Sequence, residues 1–324
     1  MIVMVIKGRK PEGKPTPPAV AANRRFGRYK GETEKAIREA ELQDDPVLNR
    51  LREAWWGYKD YHKGDTHLGG GRYKRYHSHI PEYVESLGLE LTAGDVERFS
   101  LILPEFVHDE EYGSIAAKFM YSLVRAAEGT DFTIHTAHLE RPIGDVGYLG
   151  IASKRITVIG DLFSAGSLLE KGLLVVKGMV LQDVGREMLG GRVEVDRVAR
   201  EGKWRTGIGV MMRGGTIVIK GDAGNGIGVQ MKGGEIVIQG HAGDFVGGAM
   251  EEIDIPALPF GRNPWHTYPP NGMAGGRITI EGNAGKLVGN HMRGGEIRLN
   301  GDFVSLGAVK SGKVYHKGKL IVDK

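Results

Sequence analysis

The sequence predicts a mainly β protein: a parallel β-helix of about seven turns, preceded by an α-rich N-terminal region. The first observation behind this is a repeat. GGTIVIKGDAGNGIGVQMK begins at Gly214, GGEIVIQGHAGDFVGGAM at Gly233, GGRITIEGNAGKLVGNHMR at Gly275 and GGEIRLNGDFVSLGAVK at Gly294. The glycine pairs at 214/215 and 233/234 stand 19 residues apart, as do those at 275/276 and 294/295. Units of this length cannot bury an apolar face alone and must stack on their neighbours.

The second observation is alternation inside each unit. Ile217, Ile236, Ile278 and Ile297 share one position, and Ile219, Ile238, Ile280 and Leu299 share another two residues on. Between them stand Val218, Val237, Thr279 and Arg298, a position that accepts charge and is expected to face outward. The third observation is unit length. Nineteen residues at roughly 3.3 Å trace about 60 Å, enough for one closed three-sided turn but short for strand–helix–strand units. Glycines are expected to mark the corners: Gly221, Gly240, Gly282 and Gly301 close the strands, and Asp222, Asn283 and Asp302 follow in a left-handed or tight-turn conformation.

Length and composition narrow the function. A chain of 324 residues can carry one large core and a smaller second unit. Glycine supplies 51 residues without a three-residue period, so the excess belongs to corners and not to a collagen-like helix. There is no cysteine, which excludes disulfides, thiolate catalysis, cysteine-ligated iron–sulfur clusters and Cys-type zinc sites. MIVMVI followed by basic residues has the wrong order for a signal peptide and is too short to span a bilayer. A cytoplasmic protein is expected. The net charge of +4 is modest and names no anionic partner.

In chain order, residues 1–30 read as a basic, proline-rich arm. Between residues 7 and 30 lie eight cations and one acid, Glu12. Such an arm could meet an acidic partner or lie solvated on its own domain or a neighbouring subunit. Nothing in it matches a nucleic-acid module, and Phe26 and Tyr29 are too few for a base-stacking platform. Residues 31–142 read as a mostly helical domain. Asp45 before Pro46 is an N-cap and first-turn pair, and Val47, Leu48, Leu51, Trp55 and Tyr58 form one apolar face. Short helices are expected over Ile80–Gly88 and Asp95–Leu103, and a firmer one over Ser114–Ala127 that Gly129 stops. DFTIH from Asp131 alternates like a strand.

The β-helix domain is expected over 143–324, with irregular strands at 155–159, 173–177 and 192–195 before the four regular ones. Val314 and the apolar residues at 320–322 are expected to cap the open end, with His316 interrupting the column there. An insertion at 249–273 breaks the register between the second and third copies. Its prolines and aromatic residues suit a structured binding loop, so Phe260, Trp265, His266 and Tyr268 are candidates for partner contact.

Six of the 11 histidines, all within residues 62–138, are candidates for a site: His62, His67, His77, His79, His135 and His138. Gathered in space with Asp65 or Glu140, neutral imidazoles could bind a metal or act as a general base. Their spacing fits no familiar zinc pattern, and exposed or locally hydrogen-bonded histidines are the plainer expectation. No nucleophile elbow, HExxH or P-loop lysine is present.

The repeated run MRGGTIVIKGDAGNGIGVQMKGGEIVIQGHAGDFVGGAM, followed by GMAGGRITIEGNAGKLVGNHMRGG, resembles the C subunit of formylmethanofuran dehydrogenase and the C-terminal domain of the glutamate synthase large subunit. Both belong to a superfamily named for glycine-x-glycine turns. Gly224, Gly226 and Gly228 carry the motif most fully, while Gly243 with Gly247 and Gly285 with Gly289 carry reduced forms. The likeness covers roughly residues 143–318 and implies a right-handed parallel β-helix. It also implies a scaffold that makes and breaks no bonds, binds no cofactor itself and contacts other protein subunits or its own copies. Those partner subunits would carry FMN, iron–sulfur clusters or a pterin–metal cofactor. No catalytic residue is implied. The N-terminal 142 residues match neither relative.

Overall fold

A computed structural model describes residues 42–63, 80–108, 112–146, 153–199, 207–249 and 271–324. The chain divides into two compact units, 1–49 and 50–324. In the first, residues 42–44 are helical and helix α1 (Pro46–Lys63) begins after Asp45. The Asp45 carboxylate caps it, accepting from the N–H groups of Val47 at 2.8 Å and Leu48 at 3.1 Å, as the Asp-Pro pair predicts.

The second unit is mainly sheet. Ten strands form one sheet in which every neighbour is parallel except the last: β1 (Asp131–His135), β3 (Arg155–Ile159), β5 (Leu173–Val180), β6 (Arg192–Val198), β7 (Thr216–Ile219), β8 (Glu235–Ile238), β9 (Arg277–Ile280), β10 (Arg293–Leu299), β11 (Ser311–His316) and β12 (Lys319–Asp323). A small parallel pair, β2 (Asp145–Val146) and β4 (Ser164–Ala165), lies outside it. Strand order follows chain order, so each strand pairs with the next unit of sequence. The sheet takes in β1, upstream of residue 143.

Register confirms the two apolar columns. Val193, Ile217, Ile236, Ile278, Ile297 and Val314 are successive partners, and all are fully buried. Val195, Ile219, Ile238, Ile280 and Leu299 form the second, which ends on His316. The position between them is more covered than its tolerance of charge suggests. Val218 is only 7% exposed, while Arg298 is exposed. Val218 sits mid-sheet, flanked by Glu194 on one side and Val237 on the other.

Stacking continues beyond the strands. Val184 bridges to Ile208 in parallel, and the N–H groups of Gly228, Gly247 and Gly289 donate to the carbonyls of Ile208, Ile227 and Val246. A column of methionines, Met188, Met212, Met231, Met273 and Met292, is also fully buried. An unbranched thioether fills irregular corners well.

The corner glycines are required for another reason than the one expected. Gly221, Gly240, Gly282 and Gly301 do not have positive φ. A Cβ on Gly240 would lie 2.6 Å from Asp222 N, and one on Gly282 would lie 2.6 Å from Gly240 O, so backbone passes too close for any side chain. Asp222, Asn283 and Asp302 are not left-handed either. The left-handed positions are glycines such as Gly226, Gly228, Gly247 and Gly289, together with Gln230, Phe245, Leu287 and His291. Phe245 and Leu287 hold the conformation that Gly226 holds in the first regular copy.

Among the described residues, α1, α2 (Ile80–Ser86), α3 (Ala93–Ile102) and α4 (Tyr112–Ala126) precede or adjoin the first strands. A capping box joins Thr92 and Asp95 at the start of α3. Trp55, Phe99, Phe106 and Phe119 pack as one aromatic core, whereas Trp56 is 51% exposed. Helix α3 packs on β1, and α4 packs on β2. Lys154 ties α4 to the sheet by donating to the carbonyls of Val124 at 2.6 Å, Arg125 at 3.2 Å and Ala127 at 2.7 Å, which satisfies the open end of the helix.

Candidate functional site

The junction of α3 and β1 brings together two of the six candidate histidines. His135 ends β1, and its N–H donates to Ser100 Oγ at 2.9 Å. Its Nε2 lies 2.9 Å from Glu97 Oε1. Glu97 and Ser100 are three residues apart in α3, so one helix face holds both ends of the histidine. Partial desolvation lowers the pKa of the His138 ring, although the residue is exposed, with the neighbouring His135 adding to the effect and backbone bonds to Leu101 and Ser100 opposing it. Glu97 is thus the acid that orients a ring, and Glu140 is exposed. The acid lies 38 residues before its partner, a separation no local motif reveals.

A carboxylate can fix the tautomer and direction of an imidazole, as a general base or ligand requires. With His135 28% and Glu97 44% exposed in their side chains, solvent reaches the pair. Among the described residues no group of three or more His, Asp or Glu side chains is arranged to hold a metal. His62 lies in α1. His67, His77, His79 and Asp65 lie outside the described residues, as do Phe260, Trp265, His266, Tyr268 and the basic arm.

A second acidic feature lies where β2 and β4 pair. Asp145 stands opposite Ser164, and Ala165 bridges to Val184, so Asp145, Ser164 and Asp183 follow one another at a single position. The next turn places Gly207 there, and the first three regular copies carry Gly226, Phe245 and Leu287. Asp145 accepts from the Ser167 N–H at 3.1 Å and 3.2 Å. Burial pushes its carboxyl up to about 7, opposed by the Ser167 bonds and reinforced by Asp183. Burial also raises Asp183, against the pull of Arg186 3.6 Å away. The Asp-Val pairs at 145–146 and 183–184, where the next turns read Gly207-Ile208 and Gly226-Ile227, are the signal in the sequence.

Along the paired glycines runs an open groove flanked by Glu235, Arg277, Glu296 and Lys313. Arg277 lies 3.2 Å from Glu296 and 3.8 Å from Glu235, and Arg298 also pairs with Glu296. The alternating charges satisfy one another across strands.

Comparison with protein-family models, curated proteins and solved structures finds no match. The functional reading therefore rests on the residues themselves. No described helix is long and apolar enough to cross a membrane.

Proposed function

We propose that the chain is a non-catalytic structural subunit of a cytoplasmic oxidoreductase complex, glutamate synthase-like or formylmethanofuran dehydrogenase-like. In this reading residues 143–324 form a right-handed parallel β-helix of the glycine-x-glycine superfamily. One observation carries the reading most of the way. Equivalent residues of successive repeats are partners at several points along the unit, as in Ile217–Ile236–Ile278 and Val184–Ile208, and their side chains are fully buried. Polar chemistry in the repeats is likewise spent on the stack, because its carboxylates and amides accept from the next backbone N–H. The insertion at 249–273 and the arm at 7–30 would contact the partner subunits, which would supply FMN, iron–sulfur or pterin–metal chemistry.

Deletion and complementation test this directly. Cells lacking the chain should retain partner subunits loaded with cofactor but lose the assembled complex. His135→Ala and Glu97→Gln variants should restore assembly and activity fully. Assembly that survives deletion would refute the proposal.

The His135–Glu97 pair favours a second reading, a hydrolase or metal-dependent enzyme with a histidine-rich site between the helices and the β-helix. Metal analysis of untagged protein separates the two. Stoichiometric zinc, manganese or iron that disappears on changing His77 and His79 to Ala would establish the enzyme reading.

A further inference from the structure

The two edges of the large sheet are finished differently. At one, α3 packs on β1; at the other, β12 pairs with β11 on one side and is the last strand among the described residues. Leu320 and Ile321 in β12 are 40% and 38% exposed, and Lys319 and Asp323 flank them, also exposed. An edge of this kind invites pairing by another strand.

The sequence of β12, Lys-Leu-Ile-Val-Asp, is complementary to its own reverse. Placed antiparallel to a copy of itself and centred on Ile321, it sets Lys319 opposite Asp323 twice, Leu320 opposite Val322 twice, and Ile321 against its own mate. We propose that β12 is a homodimer interface, paired antiparallel with β12 of a second copy of this chain about a two-fold axis through Ile321. Two-fold interfaces are self-complementary in this way. Edge lysines ordinarily discourage pairing, yet here each meets a carboxylate. The Asp323 side chain is 57% exposed and only 4.0 Å from Lys313, so it keeps capacity for a second cation. A register shift in the β11–β12 pairing leaves Ile321 as the extra residue of a bulge. The bulge interrupts the ladder at the axis, so the specificity of the pairing lies in the charged and apolar pairs on either side. The proposal holds whichever complex the chain serves.

The cysteine-free sequence makes the test clean, because Ile321→Cys carries the chain's one thiol. Opposed residues of antiparallel strands sit about 4.5–5.5 Å apart at Cα, within disulfide reach. Mild oxidation of the full chain should link Ile321→Cys into a covalent dimer, while Ile159→Cys, 37% exposed on β3, stays uncross-linked. In sedimentation equilibrium the unmodified chain should dimerise. Lys319→Glu or Asp323→Lys alone should weaken the dimer roughly tenfold by setting like charges opposite each other, and the double reversal should restore it. Melting temperatures would establish that each variant is folded. A monomer at every concentration, a dimer indifferent to the single reversals, or equal cross-linking at residues 321 and 159 would overturn the proposal.

Discussion

The N–H of Asn283 donates to Nδ1 of His241 at 2.9 Å, one repeat away along the stack. The same link recurs on either side: Asp222 Oδ1 accepts from His241 N–H at 2.8 Å, and Asn283 Oδ1 accepts from Asp302 N–H at 2.9 Å. A parallel series runs from Asn225 to Asp244 to Lys286. Asp, His and Asn occupy one repeat position because each offers an acceptor at the reach of the next N–H. His241→Ala should cost about 1 kcal/mol and speed hydrogen exchange at the Asn283 amide. His241→Asn should leave both near their original values. Thermal melts with amide exchange check this, and equal behaviour of the two variants would refute the role of the ladder.

Glycines in the repeat serve two separable needs. Gly240 needs space, because a Cβ would meet Asp222 N and the Gly221 carbonyl carbon at 2.6 Å. Gly318 needs only its left-handed φ of +78°, with nothing within 4 Å of a Cβ. Gly240→Ala should therefore cost about 3 kcal/mol or more, and Gly318→Ala about 1 kcal/mol. Chemical denaturation of both variants gives the ordering.

Asp145 predicts a dependence of stability on pH. Its carboxyl titrates near 7 in the folded protein because burial disfavours the charge. Between the ordinary carboxylate range and about pH 7 the folded state holds a proton that the unfolded state has released, so stability falls as pH rises across that window. Asp183, raised in the same direction, adds to the slope. Asp145→Asn should flatten the curve and be more stable than the parent at pH 8, since it removes a buried charge. Melting temperatures from pH 4 to 8 test this; a parent that gains stability across the window would contradict it.

The assigned columns make a sharper pair. Ile236→Asp places an unpaired charge in a fully buried column and should cost about 4 kcal/mol or more, enough to unfold many proteins. Val237→Asp, at the half-buried position next to it, should cost about 1–2 kcal/mol. Comparable melting temperatures would overturn the in-and-out register.

Strand positions, their register and the Asp45 cap were legible because each depends on residues close together or at a fixed repeat. Ile217, Ile236, Ile278 and Ile297 announce their column by spacing alone. The reason for Gly240 was not legible, since close passage of backbone belongs to the stack and not to any single unit. Val218 was misjudged because its cover comes from neighbouring strands. The His135–Glu97 pair and the Asp145–Asp183 alignment depend on how α3 meets β1 and on irregular early copies whose register alternation alone leaves open. The methionine column has its own mark in the sequence, since each member stands two residues before a glycine pair, but the isoleucine alternation does not point to it.

The central claim is that this chain holds other subunits together. Its most direct test is the mass and composition of the untagged protein as purified under native conditions from its source cells. The account predicts a complex in which this chain accompanies subunits carrying flavin, iron–sulfur or pterin–metal groups, while the chain released from it has no turnover of its own. A chain that elutes without partner subunits at physiological salt, alone or as its own dimer, would contradict the claim.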